Sequence, residues 1–289
     1  MDWVLSIQKA IDYIEENLTE DISYEKIASL GFSSSFHFQR IFSLLCGYSL
    51  GEYIRLRRLT LAGIELSRGG SKVIDVALKY GYDSPDSFAK AFFKFHGITP
   101  SQARAEGSTL KSFSPLSIKI TLEGGNTMDY RIEEKEAFNV IEKVEIHTTE
   151  NDENLKSITK FWERAHADGT VDKLEDLASD KKYLFGVCYE NKNPKEKTFE
   201  YSIAAICDNE IEIPEGFRKN TIPKNTWLIF TCIGAMPHAI QEGWKKIFTE
   251  FFPTSVYRPT GKFDIEAYPD GDTDSADYLS EIWIPVERK

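Results

Sequence analysis

A chain of 289 residues, 41% of them apolar, is long enough for two ordinary cores, and no stretch approaches the run of about 18 apolar residues that a membrane helix needs. A formal net charge of −11 would argue against a nucleic-acid binder if it were spread evenly, but residues 1–106 hold 12 Lys and Arg against 13 Asp and Glu, so nearly all the surplus lies beyond them. Residues 40–105 carry ten basic side chains against five acidic, a polarity compatible with contact to phosphate.

The N-terminal MDWVLSIQKAIDYIEEN spaces Val4, Ile7, Ile11 and Ile14 along one helical face, which predicts a scaffold helix from Trp3 to Asn17 and not a signal segment, so a cytoplasmic protein is expected. After the polar break Thr19–Ser23, the spacing predicts a short helix over Tyr24–Leu30 and a turn at Gly31. Ser33, Ser34 and Ser35 then offer capping hydroxyls to a further helix. In that helix Phe38, Ile41, Phe42 and Leu45 pack inward, leaving Ser35, Phe36, Gln39, Arg40 and Ser43 on the opposite side. Gln39 and Arg40 suit base reading: Arg donates a fork to guanine O6 and N7, Gln pairs with adenine N6 and N7, and Phe36 can meet a thymine methyl. A long helix over Tyr53–Leu66 follows, with Arg55, Arg57 and Arg58 in its first turns.

The pattern then recurs, with Phe88 and Phe92 standing 50 positions after Phe38 and Phe42. Ile74, Ala77 and Leu78 make an apolar stripe that stops at Gly81. Ser84 can cap the next helix, Pro85 suits its first position, and Asp86 complements its positive end. Phe88, Ala91, Phe92 and Phe95 face a core, so Asp86, Ser87, Ala89, Lys90 and Lys94 point outward until Gly97 ends the helix. A final short helix carries Gln102 and Arg104. Asp86 repels phosphate and its neighbours donate little, so Lys90 is the best contact here and the first unit is expected to set most of the base specificity.

GYDSPDSFAKAFFKFHGITPSQAR resembles the second helix-turn-helix signature of the AraC/XylS family of transcription regulators. The resemblance implies an all-α domain over residues 1–106 with units at about 20–47 and 73–97 and the helix of Tyr53 joining them. It also implies double-stranded DNA read in successive major grooves, and RNA polymerase as a partner in activation. The DNA-facing residues are then Ser35, Phe36, Gln39, Arg40, Ser43, Pro85, Asp86, Ser87, Lys90 and Lys94, with Arg55 and Arg104 beside them.

Residues 107–115, within the Ser-rich EGSTLKSFSP, are expected to be a linker. Beyond them the period changes. SIKITL (117–122) alternates as a strand, Gly124, Gly125 and Asn126 make a turn, and Tyr130–His147 is extended. A helix over Leu155–Ala167 turns Ile158, Phe161, Trp162 and Ala165 inward, before the strands KYLFGVCYE and FEYSIAAIC. The order repeats: an extended Asn225–Ile233, a helix over His238–Phe252 burying Ile240, Trp244, Ile247 and Phe251, then strands near Phe263 and Tyr278. The simplest reading is an α+β domain of two β-α-β-β repeats over residues 116–289.

The ending EGWKKIFTEFFPTSVYRPTGKFDIEAYPDGDTDSADYLSEIWIPVERK resembles the GyrI-like effector-binding domains. The resemblance implies helices on one face of a sheet, a concave pocket on the other, and amphipathic, often cationic, ligands. It singles out Glu281, which shares a strand face with Leu279 and Trp283, while Tyr201, Trp227 and Phe230 are the wall candidates. A carboxylate partly desolvated beside aromatic rings attracts a lipophilic cation through charge and cation–π contact together. Pairing of Glu281 with a nearby Lys or Arg is the bland alternative.

The five histidines have no metal-binding spacing, and no nucleophile elbow or phosphate-cradling loop occurs, so neither a metal, a cofactor nor an enzyme is expected. Cys46, Cys188, Cys207 and Cys232 form no CxxC pair and read as buried thiols. A ligand-responsive regulator is the resulting expectation. The alternatives are a regulator whose C-terminal half docks a protein partner, and a GyrI-like domain with a hydrolytic side activity.

Overall fold

The computed structural model describes residues 3–30, 35–117, 127–148, 153–189 and 198–289. It divides into two compact units, residues 1–31 with 48–121, and residues 32–47 with 122–289. The first recognition helix thus groups with the sheet-bearing unit, and residues 107–117 stay with the helices. Gly31, Ser33, Ser34, residues 118–122 of the expected strand and the turn Gly124–Asn126 lie outside the described residues.

Helices α1 (Trp3–Glu16), α2 (Tyr24–Leu30), α3 (Ser35–Cys46), α4 (Leu50–Ser67), α5 (Val73–Lys79) and α6 (Pro85–His96) follow the expected order, with a 3-10 turn at Gln102–Arg104. α4 starts one turn earlier than the apolar spacing indicates, because Ser49 caps it by accepting from the Glu52 N–H at 3.0 Å. α6 begins as expected, with Ser84 capping and Pro85 in the first turn, and ends at Gly97 with φ +80. Leu59, Ala62, Leu66, Val76, Ala77, Phe88 and Phe92 form the core of this unit. α5 buries Val76 and Ala77, but Ile74 and Leu78 are 48% and 59% exposed: the helix is only seven residues long and turns one narrow stripe inward, so the expected stripe is off by part of a turn.

In the second unit β1 (Tyr130–Lys135) and β2 (Phe138–Thr148) divide the expected single extended segment. They are followed by α7 (Glu153–Ala167), α8 (Thr170–Leu177), β3 (Leu184–Tyr189), β4 (Thr198–Ile206), β5 (Arg218–Ile222), β6 (Asn225–Ile233), α9 (His238–Lys246), β7 (Tyr257–Pro259), β8 (Phe263–Tyr268) and β9 (Leu279–Arg288). A π-helical turn, Ile247–Phe251, extends α9. The wider turn shifts the buried stripe, so Phe248 and Phe252 are fully buried and Phe251, expected to be buried, is only partly so.

All strand pairs are antiparallel, in the order β1-β6-β9-β8-β3-β4-β2-β5, with β7 added to β9. The repeats are β2-α7-β3-β4 and β6-α9-β8-β9, each with its last strand between the other two, joined where β3 pairs with β8. Each edge strand crosses over: β1 pairs with β6 of the second repeat and β5 with β2 of the first. Only residues 136–137 join β1 to β2, at opposite ends of that order, and residues 223–224 join β5 to β6. The sheet therefore curls until its ends meet, and Phe138 on β2 reaches within 6.5 Å of the Trp227 ring on β6. One face, inside the curl, is an apolar core built from the strands themselves, with Trp227, Trp283, Phe185 and Ile265 at its heart. The other face carries helices, with α7 and α8 over Ile141, Tyr201 and Ile203.

Candidate functional site

α6 presents Pro85, Asp86, Ser87, Lys90 and Lys94 exposed on the side opposite Phe88 and Phe92. Ser87 is occupied by the cap, its N–H donating to Ser84 Oγ at 3.2 Å and its hydroxyl to the Ser84 carbonyl at 2.9 Å, so Lys90 and Lys94 carry the positive charge of this face. On α3, Phe38, Ile41 and Phe42 are buried and Gln39 and Ser43 half-buried, while the side chains of Ser35, Phe36 and Arg40 lie outside the described residues. Arg104 is exposed, and Arg55 is partly exposed beside Glu52 at 3.2 Å. Arg57 and Arg58 turn inward: Arg58 donates to the carbonyls of Leu18 and Glu20, and Arg57 pairs with Glu15 at 2.8 Å.

The five expected effector residues do not share one face. Glu281, Trp283 and Trp227 lie inside the curl, with Trp227 and Trp283 rings 5.9 Å apart. Tyr201 lies on the helix side and accepts from the Trp162 indole N–H at 2.9 Å, and Phe230 lies on the helix side against Phe251 at 4.9 Å. Tyr201 and Phe230 are therefore not walls for Glu281. Strand alternation separates them: residues of odd and even number on one strand point to opposite faces, and these strands are apolar on both.

Glu281 already has a cation. Arg131 of β1 reaches it with two N–H groups at 2.8 and 3.1 Å, and the Trp283 indole N–H donates at 2.7 Å. Burial alone raises the Glu281 carboxyl, but the Arg131 guanidinium and the Trp283 N–H outweigh it and hold it below the ordinary carboxylate value. The same device recurs in the other repeat, where Arg218 of the opposite edge strand β5 holds the fully buried Glu142 at 2.6 Å, with Tyr189 and Ser202 hydroxyls donating at 2.7 Å each. An Arg–Glu pair thus ties each edge strand, β1 and β5, to the repeat it joins.

A second acid sits on the helix side, where the two repeats join. Glu266 of β8, 6% exposed, accepts from the Trp244 N–H of α9 at 2.7 Å and from the Tyr268 hydroxyl at 2.8 Å. Trp162 of α7 stands edge-on to Tyr268 at 5.4 Å and ties down Tyr201. Glu266 pairs across the central strands with Gly186, where a Cβ would collide with the Tyr201 hydroxyl and touch Tyr268 at 3.5 Å; the missing side chain lets both phenols approach the sheet. Tyr268 and Trp162 are only partly buried, so the acid lies beneath aromatic rings that solvent reaches. Sequence reasoning put Trp162 and Trp244 in the core and passed over Glu266; its one signal was FDIEAY, a strand with acids two apart on the same side as Tyr268. Among the described residues no His, Cys, Asp or Glu cluster could hold a metal ion, and no helix is long and apolar enough to cross a membrane.

Helices in the order of a double helix-turn-helix, followed by a duplicated curled sheet, are the architecture of a DNA-binding regulator joined to an effector-binding type of domain. Comparison with known proteins agrees. The integron-associated effector binding protein family matches residues 131–286, more than half the chain, and a helix-turn-helix domain family matches residues 27–106. The helical part is 45% identical over 98 residues to the HTH-type transcriptional activator AarP of Providencia stuartii, covering 34% of this chain and 73% of that protein. It is 31% identical over 100 residues to the multiple antibiotic resistance protein MarA of Escherichia coli, covering 35% and 79%. The sheet domain shares its fold with SAV2435, solved bound to tetraphenylphosphonium, at a TM-score of 0.50 and 24% identity over 55% of this chain and 94% of that one. The chain is an AraC-type transcription regulator and belongs, through its sheet domain, to the GyrI-like family of effector-binding proteins.

Proposed function

We propose that the chain activates transcription by reading an asymmetric operator with α3 and α6, and that an amphipathic cation lodged against Glu266 sets its activity. The buried carboxylate of Glu266 between Trp244 and Tyr268 carries this reading. A cation there gains charge attraction in a medium of low dielectric and cation–π contact with Trp162 and Tyr268 together. At Glu281 it would first have to evict a bidentate guanidinium. Similarity to AarP, named a transcriptional activator, supports activation, for which we propose contact with RNA polymerase in the cytoplasm. The effector is bound and released unchanged.

The test is thermal denaturation with tetraphenylphosphonium, the lipophilic cation held by SAV2435, since a ligand that binds only the folded form raises the midpoint. The shift should vanish in Glu266→Gln and persist in Glu281→Gln, and the recovered cation should be intact. The opposite pattern would move the effector to the inside of the curl.

A further inference from the structure

The Ser-rich segment expected to be a free linker is docked. Ser108 donates to the Ala103 carbonyl at 3.0 Å, the Lys111 N–H to His96 Nδ1 at 3.1 Å, the Phe113 N–H to Thr60 Oγ1 at 3.0 Å and the Leu116 N–H to the Tyr53 hydroxyl at 3.2 Å. The Phe113 carbonyl accepts from Arg57, and its ring meets Tyr48 and Tyr53 edge-on at 5.2 and 6.0 Å. Tyr53, Arg57 and Thr60 stand at i, i+4 and i+7 on α4, one buried row of polar groups inside a helical core. Buried polar groups must be satisfied, and the backbone of residues 111–116 supplies much of what this row needs.

The same groups also hold α1 and α6. Tyr53 and Arg57 hold Glu15 of α1 at 2.6 and 2.8 Å. His96 is the last residue of α6, and its Nε2 donates to the Leu59 carbonyl of α4 at 3.0 Å. Removing the segment would strip partners from α4 and α6 and loosen the residues that fix α1. Beyond Leu116 the chain leads through residues 117–129 into β1.

We propose that residues 108–116 are a strap whose docking on α4 sets DNA affinity, and through which the effector domain acts on the reading helices. The second clause rests on the reading that the sheet domain binds an effector. Coupling then needs only that the bound and free sheet domain favour docked and undocked strap differently.

The test uses the full chain, an operator selected from random DNA, and hydrogen exchange of the strap peptide. In Phe113→Ala the strap should exchange at least tenfold faster and operator affinity should fall about tenfold, within the ordinary range of coupling between sites, although Phe113 packs on Tyr48 and Tyr53 and is not one of the expected DNA-facing residues. Lys111→Pro, which deletes one strap N–H and leaves the core side chains intact, should do the same in smaller measure. In the parent protein tetraphenylphosphonium should change both strap exchange and operator affinity; in Phe113→Ala it should still raise the melting midpoint but no longer move operator affinity. Free strap exchange in the parent protein, or both variants binding operator as the parent does, overturns the strap. A midpoint shift without any change in strap exchange overturns the transmission and spares the effector site. No midpoint shift overturns the cationic effector reading instead, and operator affinity of the two variants alone then decides whether the strap sets DNA binding.

Discussion

Gly186→Ala probes the geometry of the aromatic cluster above Glu266. The added methyl would occupy the place of the Tyr201 hydroxyl, which accepts from Trp162, so the phenol must move or the strand must shift. Overpacking of this kind costs about 1–3 kcal/mol, reduced by the few tenths to about 1 kcal/mol that Ala gains over Gly in an extended strand. For a domain of this size each kcal/mol lowers the midpoint by roughly 2–4 °C, so a fall of a few degrees is expected by calorimetry. Tyr201→Phe alone should lose about 0.5–1.5 kcal/mol with the Trp162 hydrogen bond. In Gly186→Ala/Tyr201→Phe the methyl and the absent hydroxyl compensate, so the double variant should be more stable than Gly186→Ala. Additive losses would show that the methyl and the hydroxyl do not compete, and would refute the close approach on which the site depends.

Phe88→Ala should destabilise the helical unit by about 3–5 kcal/mol, measured by denaturant unfolding, because the ring is fully buried at the centre of its core. Arg40→Ala should relax base discrimination in operator binding by about 1–3 kcal/mol at one position, whereas Lys90→Ala should weaken all sequences alike and flatten the salt dependence. Burial of His96 and His147 disfavours their charged forms and holds both below the ordinary value of 6.5. The unfolded chain thus takes up protons first as pH falls; their contribution is complete above 6.5 and is lost as pH falls through the folded values. Melting curves from about pH 8 to about pH 5 should show the midpoint falling, less steeply in His96→Gln.

The helices were legible because spacing and caps agree: Ser84, Pro85 and Gly97 bracket α6, and Phe88 and Phe92 fix its inner face. The duplicated order of strands and helices was legible for the same reason. The effector face was not. LFGVCY, FEYSIAAI and TWLIF are buried on both sides of a curled sheet, so alternation carries no sign of which parity meets the helices, and Tyr201 and Phe230 were assigned to the wrong one. The strap was illegible for a different reason: its contacts run through backbone N–H groups, and a Ser-rich side-chain pattern does not reveal which amides are held.

Whether Glu281 belongs to a ligand or to the scaffold is decided by replacing its partner. Its side chain is 13% exposed, so Arg131→Ala leaves a mostly desolvated carboxylate without its guanidinium, whereas Arg131 itself is 38% exposed and returns readily to water. Solvent screening discounts the pair, and the single variant should lose about 1–3 kcal/mol, less than a fully buried pair would. In Arg131→Met/Glu281→Met both charges disappear together and most of that loss should return, since apolar groups of similar volume suit the interior of the curl. A scaffold pair predicts this recovery with tetraphenylphosphonium binding unchanged. A ligand-holding acid predicts instead that Arg131→Ala binds the cation more tightly than the parent protein and that the double variant binds none, and that outcome would return the effector to Glu281.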